Sequence, residues 1–124
     1  MMDCAERQRA IAGGFQKCRN AFTALGDETR QLILLVLLES DLSGVRVGEI
    51  AQKIHLTRPS VSHHLQILKG AGIVSMRREG TKNYYYLSAD QTRWRDLATL
   101  VELIYESVRH ISTQPPTPSR GGEV

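Results

Sequence analysis

Cysteine, aromatic residues and long apolar runs are all scarce in this chain. Two cysteines in 124 residues cannot make a disulfide scaffold, and the expected setting for so few thiols is a reducing cytoplasm. The longest apolar run, Leu32 to Leu38, is far shorter than the roughly 20 residues a membrane-spanning helix needs. The opening Met1-Met2-Asp3-Cys4-Ala5-Glu6-Arg7 lacks a basic segment followed by an apolar one, so no secretory leader is expected. There is no glycine-rich phosphate loop, and no motif brings together a nucleophile, a base and an orienting group. An enzyme is therefore not expected, and no cofactor is implied.

What is present is one domain's worth of chain, 41% hydrophobic and 23% charged, with a net charge of only +3. The distribution of that charge says more than its total. Between Thr57 and Leu87 stand Arg58, Lys69, Arg77, Arg78 and Lys82, against the single acid Glu79. Between Asp27 and Ile50 the balance reverses, with Asp27, Glu28, Glu39, Asp41 and Glu49 against Arg30 and Arg46. Positive charge gathered on one segment is what a nucleic-acid contact requires.

The periodicity predicts mainly helix with a small β-hairpin. A first helix runs from about Asp3 to Leu25, with Ile11, Phe15, Cys18, Phe22 and Leu25 spaced as a helix-packing seam. Asp3 with Glu6 resembles a capping box, and Gly13-Gly14 is a point where this helix weakens or breaks. Asp27 caps a second helix, Glu28 to Ser40, whose apolar run goes all the way round and so predicts full burial. Val47 to Ile54 is a short helix, His55-Leu56 a turn, and Thr57 the cap of a helix with Pro59 in its first turn, ending at Gly70-Ala71-Gly72. Ile73–Arg77 and Tyr84–Leu87 read as strands joined at Glu79-Gly80, with Tyr85 facing away from Tyr84 and Tyr86. Ser88 or Asp90 starts a last helix striped by Trp94, Leu97, Ala98, Val101, Ile104, Tyr105, Val108 and Ile111. Leu100 and Leu103 widen that apolar face beyond what one small monomer uses. Three of the four prolines fall between Thr113 and Val124, which predicts a disordered tail.

The order helix, turn, helix, hairpin is that of a winged helix-turn-helix. Its expected units are a dimerisation helix over 1–25, a DNA-binding core over 26–89, a second dimerisation helix over 90–112 and the tail over 113–124. The helix from Thr57 buries Val61, Leu65 and Leu68 and turns polar groups outward, a fit to the major groove. Ser62, His63 and Gln66 are the candidate base readers, with Ser60 beside them. Arg58 can meet a base or a phosphate, and Lys69, Arg78, Thr81, Lys82 and Tyr84 are candidate backbone contacts. His64, adjacent to His63, points to another side of the helix and is either partly structural or close to a phosphate. The same divergence makes the pair a poor metal site. The partner expected is double-stranded DNA carrying an inverted repeat, bound by a homodimer.

Leu25-Gly26-Asp27-Glu28-Thr29-Arg30, Val47-Gly48-Glu49-Ile50-Ala51, Pro59-Ser60-Val61-Ser62-His63-His64-Leu65, Gly72-Ile73-Val74 and Arg78-Glu79-Gly80 with Tyr86-Leu87 together resemble the ArsR/SmtB family of bacterial winged-helix repressors. The resemblance covers roughly Phe22 to Ile111. It implies a homodimer, built from the first and last helices, that represses an operator until an effector releases it. The chain departs from the family's metal sensors. No Cys-x-Cys pair stands at Arg46-Val47-Gly48-Glu49, and Asp96 is followed two residues later by Ala98, leaving only His110 of the other metal-ligand set.

The effector therefore stays open, and two readings of Cys4 and Cys18 stand side by side. They are fourteen residues apart, so in an unbroken helix they share a face at roughly 21 Å, beyond the reach of a disulfide. A helix break or a symmetric dimer could bring them together as a thiol, persulfide or soft-metal sensor. Alternatively, Cys18 is a small apolar member of the seam. Glu102, Glu106 and His110 form one polar stripe, read as a solvated face rather than a metal site. The rival from another class is a winged helix used only for protein interaction, which usually lacks the cationic face kept here.

Overall fold

A computed structural model describes residues 2–88 and 91–113. Helix α1 spans Cys4–Leu25, α2 Glu28–Glu39, α3 Val47–Ile54 and α4 Arg58–Gly70. Strands β1, Val74–Glu79, and β2, Lys82–Leu87, follow, and α5 spans Thr92–Ser112. The tail from residue 114 onward and Asp90 lie outside the described residues.

Three of the helices begin where a side chain replaces a missing backbone partner. Asp3, Asp27 and Thr57 accept from the N–H groups of Glu6 at 2.8 Å, Arg30 at 3.0 Å and Ser60 at 3.3 Å. The N–H of Arg30 also draws the Asp27 carboxyl below its ordinary value of 3.8. Between α3 and α4 the chain reverses through His55, whose φ of 59° is the only positive value at a non-glycine residue among those described.

The core is one cluster. Ile33, Ile50, Val61, Leu65, Leu68 and Ile73 have no exposed surface, so each contributes on the order of 1.5–3 kcal/mol by leaving water. Strands β1 and β2 pair antiparallel, with Arg77 opposite Tyr84 and Glu79 opposite Lys82. The hairpin is therefore longer than the sequence pattern predicts at both inner ends. Gly80, at φ 62°, turns the chain within two residues, and the polar tip pairs too. Val45 bridges Tyr85 from the α2–α3 loop, with N–H···O distances of 2.8 Å in both directions. Tyr85 is buried while Tyr84 and Tyr86 are half-buried, the alternation expected of a strand.

Three expectations need correction. Helix α1 does not break at Gly13-Gly14. Gly14 sits where a Cβ would lie 2.9 Å from Leu100 Cδ1, so the glycine lets α1 and α5 approach closely. Helix α2 is not buried all round: Ile33, Leu34, Val36 and Leu37 face the core, but Leu32, Leu35 and Leu38 lie 45–57% exposed. The last helix spans Thr92–Ser112 and does not begin at Ser88, whose N–H still bonds Ile73 O at 3.3 Å and prolongs the hairpin. Its buried side is Leu97 and Leu100, with Trp94 and Ile104 partly covered. Ala98, Val101, Tyr105, Val108 and Ile111, the rest of the expected apolar stripe, are exposed within one chain. A helix with two apolar stripes does not say which of them its own chain covers.

Helices α1 and α5 run antiparallel. Arg93 Nη1 donates to Lys17 O at 3.0 Å, Leu100 lies on Gly14, and Cys4 shares a small cavity with His110.

Candidate nucleic-acid interface

Helix α4 separates its two roles by face. Val61, Leu65 and Leu68 are buried, while Arg58, His63, Gln66 and Lys69 are exposed and Ser60 and Ser62 are half-covered. These are the spacings that put apolar and polar residues on opposite sides of a helix. Thr57 and Pro59 start the helix cleanly: the cap supplies an acceptor, and proline has no N–H to leave unsatisfied.

A side-chain hydrogen bond links the hairpin to this face. Gln66 Nε2 donates to the Tyr85 hydroxyl at 3.4 Å, linking a candidate base reader to the buried tyrosine of β2. Arg78, Thr81 and Lys82 lie exposed at the hairpin's end, and Arg78 Nε donates to Gly80 O at 2.9 Å. Tyr84 is half-covered because the Arg77 guanidinium lies over its ring, 4.7 Å from the centroid. Arg58 leans back across α3. A Cβ on Gly48 would come 2.8 Å from its Nη2, and Arg46, Gly48, Glu49, Gln52 and Arg58 enclose a cleft of about 370 Å³.

His64 faces away from the exposed side. Its Nδ1 accepts from Arg30 Nη1 at 3.2 Å and lies 4.0 Å from Asp27 Oδ1. Arg30 in turn donates from Nε to Ala24 O at 2.7 Å and from Nη2 to Thr23 O at 3.2 Å. One guanidinium thus ties the end of α1 to the back of α4. Sequence reasoning missed Arg30 as part of the site's support, because its partners lie 6, 7 and 34 positions away. It also missed Arg77, counted there only as positive charge.

The two thiols have separate fates. Cys18 is fully buried beside Ala21 and Ala24, whereas Cys4 is exposed. Because α1 is continuous, the roughly 21 Å between them stands and no bond within one chain can form. Cys4 opens onto a cavity of about 570 Å³ with Asp3, Arg7, Glu106, Arg109 and His110 on its walls. Glu106 is engaged there, accepting from Arg109 Nη2 at 2.7 Å, which raises the arginine's pKa. Among the described residues, no group of three or more His, Cys, Asp or Glu side chains is arranged to hold a metal ion. None of the described helices is long and apolar enough to cross a membrane.

Known proteins resemble this chain in sequence and fold. The family model described as bacterial regulatory protein, arsR family, matches residues 27–76, the span from the α2 cap into β1. An uncharacterised HTH-type transcriptional regulator of Methanocaldococcus jannaschii is 42% identical over 79 residues, covering 64% of this chain and 86% of that protein. The transcriptional repressor SdpR of Bacillus subtilis is 39% identical over 79 residues, covering 60% and 84% respectively. Among solved structures, an ArsR-like transcriptional regulator from Rhodococcus sp. RHA1 superposes with a TM-score of 0.69. It covers 82% of this chain and 89% of its own at 24% identity, a likeness of fold.

The chain belongs to the ArsR family of bacterial regulatory proteins. It is a winged helix-turn-helix transcriptional regulator that binds DNA, and not an enzyme.

Proposed function

We propose that the chain acts in the cytoplasm as a homodimeric repressor that reads an inverted-repeat operator with two copies of α4. The observation that carries this reading is the exposed face of α4, where Arg58, His63, Gln66 and Lys69 stand clear of a fully buried Val61-Leu65-Leu68 stripe. Ser62, His63 and Gln66 meet base edges. Arg58, Lys69, Arg78, Thr81, Lys82 and Tyr84 meet the phosphodiester backbone, with Ser60 at the edge of the contact. Arg58 falls in the second group because it leans over the first turn of α3, away from the centre of the exposed face. His64 acts from behind, through Arg30, by holding α4 at its angle.

The dimer supports the reading geometrically. Apolar side chains on the outer side of α5 and Phe15 on α1 are left about half exposed or more within one chain, and a two-fold axis there would set two α4 helices about one DNA turn apart. SdpR, named a repressor, supports repression.

Titrating duplexes from the chain's own upstream region at several salt concentrations tests this. A shift at nanomolar protein, with protection of two half-sites about 10 base pairs apart, is the expected result. A sequence-independent affinity, or a folded monomer at micromolar concentration in sedimentation, would overturn it. If thiol chemistry releases the operator, it starts at Cys4, the exposed thiol. Cys4→Ser would then abolish a response to oxidant, persulfide donor or thiophilic metal, and Cys18→Ser would leave it intact. Equal binding by wild type and the double variant under all three conditions would exclude a thiol effector.

A further inference from the structure

Arg77 is the one cation of the Thr57–Leu87 segment whose side chain turns into the chain's own framework from three directions at once. Its Nε donates to Glu79 Oε1 at 3.2 Å, and its guanidinium covers the Tyr84 ring at 4.7 Å. Its Nη1 reaches over Gly44 so closely that a Cβ there would lie 2.8 Å away. The same Cβ would strike Tyr84 Cβ at 2.8 Å, and Gly44 has φ 133°, so only glycine suits this position. Asp41, three residues earlier, feels the charge of Arg77 as part of what lowers its carboxyl pKa, after its bond from the Ser43 N–H.

These contacts join two segments that share little else. The α2–α3 loop pairs with the hairpin at the bridge Val45–Tyr85, where Tyr85 is buried in the core, which leaves only the exposed tip, residues 78–83, to pivot. Arg77 locks the pivot on the face opposite Tyr85: it is opposite Tyr84 in the ladder and reaches across to Gly44. Beyond the pivot lie Arg78, Thr81 and Lys82.

We infer that Arg77 is a positioning residue for operator binding. It fixes the pitch of the wing against the α2–α3 loop so that Arg78 and Lys82 reach phosphates, and it makes no phosphate contact itself. The inference rests on the proposed DNA contacts of the wing. A flat guanidinium is required, because it must stack on a ring and fork toward Glu79 together, which an ammonium cannot do.

The test is operator binding against salt concentration for wild type, Arg77→Lys, Arg77→Met, Lys82→Ala and Arg77→Lys/Lys82→Ala, each checked for folding by circular dichroism. Arg77→Lys keeps the charge, yet it should weaken binding about fivefold. It should also lower the slope of log K against log salt by more than one unit, as both wing contacts loosen. In that background Lys82→Ala should change little, whereas in wild type it removes about one unit. If Arg77→Lys keeps wild-type affinity and slope while Arg77→Met loses about one unit, Arg77 is itself a phosphate contact and the inference fails. It also fails if the variants melt earlier but bind with unchanged slope, since Arg77 then serves only the fold. A Lys82→Ala that is silent in wild type would instead overturn the wing assignment on which the inference stands.

Discussion

Helices α4 and α5 are both amphipathic, but only α4 is finished within one chain. The apolar stripe of α4 is sealed, and apart from Pro59 and Gly70 the residues it exposes are polar or charged. Helix α5 seals Leu97 and Leu100 against α1 yet leaves Val101, Tyr105, Val108 and Ile111 53–67% exposed. The reading unit is thus built from local parts, and the end formed by α1 and α5 still has apolar surface to place. The difference separates what one chain needs in order to fold from what two chains would need in order to act.

The largest effect should come from opening the sealed side. Leu65→Ala removes a fully buried side chain, and urea titration should show a loss of about 3 kcal/mol. Acting on the other side should spare the fold and remove function. Tyr105→Asp with Val108→Asp should leave the far-ultraviolet spectrum unchanged, give a monomer in sedimentation, and weaken operator binding about a hundredfold as two linked contacts become one. If that pair stayed dimeric, the contrast between the helices would have to be redrawn.

A finer test lies in adjacent glycines of α1. Nothing lies within 4 Å of a Cβ at Gly13, so Gly13→Ala should raise stability by up to about 1 kcal/mol through helix propensity. Gly14→Ala meets Leu100 at 2.9 Å, and overpacking of about 1–3 kcal/mol should cancel or exceed the same gain. Thermal melts should show a higher midpoint for Gly13→Ala and an unchanged or lower one for Gly14→Ala.

The smallest effect is electrostatic. The folded value of Asp27 lies below 3.8, so its ionised form stabilises the fold above that pH, and the contribution is lost as pH falls through the folded value. Asp27→Asn keeps an acceptor for the Arg30 N–H but not the charge. The stability gap between wild type and variant should be level above 3.8 and close below it, as followed by melts across an acid series.

Much of the reading unit was legible because its determinants are local. Asp3, Asp27 and Thr57 cap helices within three residues of themselves, and the alternation around Tyr85 needs no partner to be read. What escaped was long-range. The seven-residue apolar run of α2 carries no mark showing that Leu32, Leu35 and Leu38 would face outward. On α5, the stripe through Val101 and Tyr105 is as regular as the one through Leu97 and Leu100, and only α1 distinguishes them. Gly14 looked like a weakness because Leu100, its reason, is 86 residues away. The work of Arg77 depends in the same way on a glycine in another loop, and the support of His64 depends on Arg30.

An uninterrupted α1 behaves as a lever. Its 22 residues make a rod of about 33 Å. Cys4 and the cavity shared with α5 lie at one end, and at the other the carbonyls of Thr23 and Ala24 are gripped by Arg30. A tilt of about 5° pivoting at one end sweeps the other through about 3 Å, comparable to one hydrogen-bond length. The grip of Arg30 on the back of α4 is therefore mechanically within reach of whatever occupies the far end, with no flexible joint between them.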